Sequence, residues 1–598
     1  MVDGQREAGA PIERPDADPR VEVEHLAAVA DDIDADDGDR ARTNQEHDRV
    51  GNVPSQVENR DEARSGHLRS TVTSPEMQAA TRHAPHGMVA SVDHLASAAG
   101  VAMLHKGGTA ADAAVAASAV LAVTCPHLCG MGGDLFALVH DGRGGPAALN
   151  ASGRAGSGAD PVQLRLEGHT EMPFRGDIRS VPVPGCVDGW LALHERFGAL
   201  PLATVLEPAI VYAASGFPAS PLLAAAITLL RDVAGAGDLT AGGTVRHGDL
   251  IRRPGVADAL GAIVARGRAG FYQGPFGEGL LELGHGEYTR DDLARPLADW
   301  VGPIHVRVWD HDVWTIPPNS QGYLTLLGAA IASGLRLPDP RDAGWAHLLI
   351  ESARVAAHDR PSVLHEHADV TPLLDRDEVA RRRALVDPAR RATLAAPASA
   401  GDTTYLCAVD EARMGVSLIQ SNASGFGSML FEPATGIGLH NRGIGFSLEP
   451  GHPAEYGPGK RPPHTLSPAL VTRPDGSLRA VIGTMGGDTQ PQILLQLLAR
   501  TLVDGESPGH AITAPRWALR QAASSGFDTW TDPDATVVNV ERDAAADWVA
   551  GLEARGHTVE VVDGVTGTFG HAQLVEVTAS GLAGAADPRA LTGAAIGY

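Results

Sequence analysis

The hydrophobic pattern divides the chain into an apolar-poor leader and a long remainder in which helical and strand periods alternate. From about residue 86, HGMVASVDHLASAAGVAMLHKGG opens with a short apolar strand at Met88–Ser91. Apolar Leu95, Ala99, Ala102 and Met103 then recur at helical spacing until Gly107 and Gly108 stop the helix. A second, alanine-rich helix is predicted from Ala110 to Val123, and small residues on both helices let them approach closely. The turn Gly130–Gly133 delivers a strand at Leu135–His140. No Lys or Ser/Thr follows at phosphate-loop spacing, so this turn reads as tight packing. Helices are predicted at Leu222–Val233, Val256–Arg266, Tyr323–Ser333 and Trp345–Ala357, with loops between them. The run EVARRRALVDPARRATL reads as helical, and AAPASAG after it as a linker. Beyond it, TYLCAVD, MGVSLIQSN, ALVTR, LRAVIGTMG, HTVEVVD and HAQLVEVTA alternate with period two and predict a multi-stranded antiparallel sheet.

Composition narrows the function. Of 598 residues 43% are hydrophobic but only 4% aromatic, so the core is built from Ala, Val and Leu. The 73 acidic against 48 basic side chains, a net charge of −25, argue against a nucleic-acid binder, which needs a basic face. Residues 1–80 hold 19 acidic and 9 basic side chains and predict a disordered acidic tail that cannot bury enough surface to offset its ordering entropy. Cys125, Cys129, Cys186 and Cys407 are too few and too irregularly spaced for a disulfide framework. They have no second Cys/His pair at zinc-ligand spacing, so reduced, buried thiols are expected. With no apolar signal region and no long apolar run, the chain reads as soluble and cytoplasmic, without a membrane partner.

The candidate chemistry sits where the linker meets a strand, at Gly401-Asp402-Thr403-Thr404-Tyr405. A threonine hydroxyl needs a base to become a nucleophile. Cleavage before Thr403 would free an α-amine, with a pKa of about 7.7, within reach of its own hydroxyl, so one residue would supply both groups.

Several segments around this junction carry a resemblance: HGMVASVDHLASAAGVAMLHKGGTAADAAVAAS, PHLCGMGGDLF, SVPVPGCVDGW, PPNSQG, TTYLCAVD, GFGS, GKRPPHTLSPALV and TMGGDTQPQ. In order and spacing they resemble the γ-glutamyltranspeptidase family of N-terminal-nucleophile hydrolases, over nearly everything from 86 to 598. The resemblance implies an α+β, four-layer αββα sandwich. It also implies autocatalytic cleavage at Asp402-Thr403 into a large-subunit portion, 81–402, and a small-subunit portion, 403–598, that form an αβ heterodimer open to higher assembly. Carried over by motif, Thr403 is the nucleophile, Ser421 the second hydroxyl beside it, and Gly486 and Gly487 the amide pair that holds the tetrahedral oxyanion. Neither a metal nor an organic cofactor is implied.

Departures from the family pattern bear on substrate choice. Where γ-glutamyl enzymes hold the substrate ammonium with Asn, Gln and Asp, the matching positions read Ala423, Arg442 and Gly445. The serine pair on the carboxylate side becomes His464-Thr465, and Arg154 is the nearest counterpart of the carboxylate-gripping arginine. Arg154, Arg442 and His464 favour an anionic acyl group. The expected partner is a small-molecule amide. Transfer or hydrolysis of a γ-glutamyl group from glutathione-type substrates competes with hydrolysis of oxamate-like or glutaryl amides. Tyr405 and Cys407, where the family tends to have His and Ser, keep open a non-catalytic scaffold with the same fold.

Overall fold

Strands buried on both faces organise this molecule. The computed structural model describes residues 80–394, 404–521, 529–530, 532, 534–564 and 567–598. The acidic tail up to residue 79, the AAPASAG linker, Asp402 and Thr403 lie outside the described residues. The strands that matter here are β1 (Arg82–Ala84), β2 (Met88–Ser91), β3 (Asp134–His140), β4 (Ala147–Ala151), β5 (Asp299–Val301), β6 (Ile304–Val308) and β7 (His311–Thr315). They are followed by β8 (Thr404–Val409), β9 (Gly415–Ser421), β10 (Ala469–Thr472), β11 (Leu478–Thr484), β12 (Ala572–Thr578), β13 (Gly581–Ala586) and β14 (Ala594–Gly597). One seven-stranded sheet runs β1-β13-β12-β11-β10-β7-β6 and the other β14-β2-β8-β9-β3-β4-β5. Neighbouring strands in both sheets are antiparallel.

Alternation along each strand decides what it packs against. On β8, Tyr405, Cys407 and Val409 join Phe136, Leu138 and Ile419 in a cluster with Leu470, Val481 and Val575 of the opposite sheet. The intervening Leu406 and Ala408 pack instead with the helices α1 (His94–His105) and α2 (Ala110–Thr124). All fifteen residues of α2 are buried, which its short alanine side chains permit against both a sheet and a neighbouring helix. The capping box of Thr109 and Asp112 starts it. On the other sheet, Ala480 and Ile482 face the cluster formed by α3 (Tyr323–Ala332), α4 (Ala343–Ala357) and α5 (Gln490–Leu502). The fold is thus a mixture of helices and antiparallel sheets. Among the described residues no helix is long and apolar enough to cross a membrane, and the four cysteines are buried free thiols.

Four expectations need correction. The strands of the C-terminal part do not form one sheet. β8 and β9 join N-terminal strands, β10 to β12 build the other sheet, and Thr558–Val562 pairs parallel to Val537–Glu541 beside Trp517–Arg520. The helix Ala546–Ala554 between the two parallel strands supplies the crossover that such pairing requires. The Arg-rich run is helical only over Arg376–Arg383, because Pro388 disfavours helical geometry at the residue before it. The helix predicted to reach Val233 spans Pro221–Ile227 and tightens into a short turn at Thr228–Leu230. Finally, the stretch read as helices and loops contains β5 to β7, whose alternation in Ile304–Val308 was the overlooked signal.

The layer between the sheets sets the stability. Leu470→Ala, in that fully buried cluster, is expected to cost about 2–5 kcal/mol. Leu166→Ala, at a side chain 77% exposed, is expected to stay within ~0.5 kcal/mol in the same denaturant titration.

Candidate active site

Strand register assembles the site. β8 opens with Thr404 opposite Gln420, so Ser421 is the next residue along the partner strand. β9 pairs on its other side with β3, which sets Ser421 opposite Asp134. The turn before β3 makes this approach possible: a Cβ on Gly133 would lie 2.2 Å from the Ser421 carbonyl oxygen. The glycine run is therefore the packing turn its sequence suggested. Thr404 is buried, and its Oγ1 has no hydrogen-bond partner among the described residues.

Around Asp134 lies a buried polar network. Arg442, 1% exposed in the short turn Arg442–Gly445, directs Nε to Asp134 Oδ2 at 3.3 Å, Nη1 to Thr465 Oγ1 at 3.1 Å and Nη2 to Ser421 Oγ at 3.1 Å. His464 Nε2 lies 2.7 Å from the same Asp134 oxygen. The Leu466 amide donates to His464 Nδ1 at 3.2 Å, which leaves the ring proton on Nε2 to be donated to the carboxylate. Burial and the Arg442 charge hold His464 down to about 4, so the imidazole is neutral near pH 7. His440 brings Nδ1 to 3.3 Å of Asp134 Oδ2 and donates from Nε2 to the Pro182 carbonyl at 2.8 Å. Burial alone would raise the Asp134 carboxyl. The paired His464 and the Arg442 guanidinium outweigh it and keep the group well below the usual carboxylate range.

Ser421 gains a defined direction from this network. Its Oγ accepts from Arg442 Nη2 and from the Ala423 amide at 2.8 Å. A hydroxyl has two acceptor positions, so with both filled Ser421 presents its proton as a donor.

The loop carrying PPNSQG connects this network to the glycine pair. Asn319 O receives the His464 amide at 2.8 Å, and Gln321 receives its own orientation from both sides. Its Nε2 donates to the Thr465 carbonyl and to the Gly487 carbonyl, each at 3.0 Å. Gly486 has φ 133° and Gly487 φ 58°, in the left-handed range, and a Cβ on Gly486 would fall 2.5 Å from Thr489 Oγ1. Among the described residues, neither amide is paired with a backbone acceptor.

Ser421, Arg442, His464 and Thr465, all singled out in the sequence, thus belong to one network, with Gly487 one side chain away through Gln321. Arg154 stands in a different one. Its Nη1 reaches Glu366 at 2.6 Å and the Gly459 carbonyl at 2.9 Å, beside Arg461, which pairs with Asp299 at 2.9 Å. Asp134, His440 and Gln321 escaped sequence reading, although an acid closing a glycine turn at the start of a wholly apolar strand was a signal for the first. The metal-ligating side chains here converge on Asp134 Oδ2 rather than on a common empty point. What the arrangement offers is two oriented hydroxyls, Ser421 and Thr465, and a glycine turn whose amides have no backbone acceptor among the described residues.

Comparison with known proteins agrees with this geometry. The family profile described as Gamma-glutamyltranspeptidase matches residues 96–597. The oxamate amidohydrolase proenzyme of Klebsiella pneumoniae subsp. pneumoniae is 36% identical over 533 residues, 86% of this chain and 98% of the relative. A glutathione hydrolase-like proenzyme of Bacillus subtilis is 35% identical over 527 residues, 85% of this chain and 98% of its own length. The crystal structure of a cephalosporin acylase from Bacillus halodurans superposes with a TM-score of 0.79 at 32% identity, covering 92% of this chain and 99% of that one. The chain belongs to the gamma-glutamyltranspeptidase family.

Proposed function

We propose that this chain is a self-processing amidohydrolase whose nucleophile is Thr403, acting on small amides with an anionic acyl group, of the oxamate or glutaryl type. The observation that carries the reading is Ser421. It stands at the end of β9, one residue beyond the partner of Thr404, and its Oγ is oriented there by the Arg442 guanidinium and the Ala423 amide. The helices on the outer face of each sheet and the apolar layer between the sheets support a four-layer αββα sandwich.

In the precursor, Thr403 Oγ attacks the Asp402 carbonyl carbon, the Asp402–Thr403 C–N bond breaks, and the Thr403 nitrogen takes up the proton. The resulting ester is hydrolysed by water to the Asp402 carboxylate and a free Thr403. This divides the chain into a large portion ending at 402 and a small portion from 403 to 598 that stay together as a heterodimer. In turnover, the Thr403 α-amine accepts the hydroxyl proton as Oγ adds to the substrate amide carbon, and returns it to the departing amine. The amides of Gly486 and Gly487 hold the oxyanion. Water then releases the acyl group. Arg442 is a positioning residue for Ser421 and Thr465, and with Thr465 it is the candidate contact for an acyl carboxylate.

The acyl preference rests on what the site lacks. At the positions matching the family's ammonium contacts stand Ala423 and Gly445, and a Cβ on Gly445 would lie 2.5 Å from the Pro463 carbonyl oxygen, so the backbone leaves no room for an acidic side chain. Tyr405 and Cys407 do not weaken the catalytic reading. Both fill the layer between the sheets, where the Tyr405 hydroxyl lies 3.0 Å from Ser417 Oγ.

Intact-mass analysis of the purified protein beside Thr403→Ala tests the reading. Two fragments from the unaltered chain, the lighter beginning at Thr403, and a single uncut variant are expected; a single uncut chain in both would favour the scaffold. For the processed enzyme, kcat/KM for oxamate or a glutaryl amide is expected to equal or exceed that for the matching γ-glutamyl amide. A preference of about tenfold or more for the γ-glutamyl compound, equivalent to ~1.4 kcal/mol, would overturn the acyl assignment.

A further inference from the structure

We propose that His347, Glu351 and His557 form a structural site for a nitrogen-preferring divalent metal such as zinc, joining parts of the chain that flank the Asp402–Thr403 junction. His347 and Glu351 lie one helical turn apart on the same face of α4, and His557 follows the helix Ala546–Ala554. One ligand atom from each of the three lies within 4.8 Å of the other two, and all three residues are buried.

The tautomers suit a metal. His347 Nε2 donates to the Asp387 carbonyl at 2.8 Å, which leaves Nδ1 bare and fixes the ring, the outer arrangement that metal-bound imidazoles commonly have. Without an ion, His557 Nε2 carries a proton toward His347 Nδ1 at 2.9 Å. His557 Nδ1 is buried and has no partner among the described residues. Metal entry therefore needs only a shift of the His557 proton from Nε2 to Nδ1, with no proton lost. Tetrahedral zinc with bonds of about 2.0–2.1 Å to nitrogen sets its ligands ~3.3 Å apart. The spacings here straddle that distance, at 2.9 Å between the imidazoles and 3.8 Å from His557 Nε2 to Glu351 Oε1.

The surroundings select the kind of ion. Glu351 is held by the Arg354 guanidinium at 2.9 Å through Oε1 and by the Ala392 amide at 2.7 Å through Oε2, and Arg354 is shared with Asp534 at 3.1 Å. A single carboxylate beside two imidazoles disfavours calcium and magnesium, which need several oxygens, and suits ions that prefer imidazole. The same cluster fastens the segment leading to the junction. Arg391 N donates to the Arg555 carbonyl at 2.7 Å and Leu394 N to Asp534 at 3.1 Å. A metal here would staple α4 and that segment to the Val537–Val562 region, whether or not the chain is an enzyme.

The test uses the full chain stripped with a chelator, desalted and reloaded separately with Zn2+ and Co2+. One zinc retained per chain, a higher Tm with zinc, and loss of both in His347→Gln and His557→Gln but not in the exposed-site control His285→Gln are expected. X-ray absorption of the zinc-loaded unaltered protein gives an answer that does not depend on the variants folding. Two imidazoles and a carboxylate oxygen support the site, whereas a sulfur shell or a single imidazole overturns it. Zinc that washes off the unaltered chain, or stays on both histidine variants, also overturns it and leaves the pair as a buried hydrogen bond only.

Discussion

A buried carboxylate is tolerable only when its charge is answered, and Asp134 is the charge that this site is built around. Unpaired, it would cost several kcal/mol. Arg442 and His464 answer it from parts of the chain far from Asp134 in sequence, so those parts must meet for the ion to be satisfied. Because Arg442 then spends its other nitrogens on Ser421 and Thr465, the solution to the burial problem also orients two hydroxyls. Stability and chemistry share one guanidinium.

The rest of the fold makes that meeting possible. Antiparallel pairing of β3 with β9 sets Asp134 beside Ser421, and the missing side chain of Gly133 lets the two backbones close. Gln321 carries the order across to the opposite sheet, where Gly487 follows β11, a strand that packs on the same apolar layer. Asp134, Ser421, Arg442 and His464 are all buried, so the network sits in low dielectric, where each hydrogen bond is stronger and each unpaired group more costly.

Local pattern carried much of this in the sequence. Met88–Ser91, the two alanine-rich helices and the two strands leading to Ser421 read directly from periodicity and glycine placement. Arg442, His464 and Thr465 stood out as departures from a family pattern, and they do meet. Their shared partner was not legible, because Asp134 lies some 300 residues away in sequence and nothing local distinguishes a buried acid from a solvated one. For the same reason the pairing of Arg442 with Asp134 could not be read beside its candidate role toward an acyl group. Arg154 illustrates the converse: a motif gave it a position, but its partners Glu366 and Gly459 come from loops that no spacing rule connects to it. The parallel pairing of Thr558–Val562 was hidden too, since period-two alternation does not encode strand direction.

The central claim is that the Asp134 charge, through Arg442, positions the hydroxyl of Ser421 for chemistry at Thr403. The most direct measurement is the rate at which the fragment beginning at Thr403 appears in newly made Asp134→Asn protein, compared with the unaltered chain, with circular dichroism confirming the fold. Asparagine keeps the shape and removes the charge. The account predicts cleavage slowed by about tenfold or more, equivalent to at least ~1.4 kcal/mol in the barrier. Cleavage at the unaltered rate in a folded Asp134→Asn chain would contradict it.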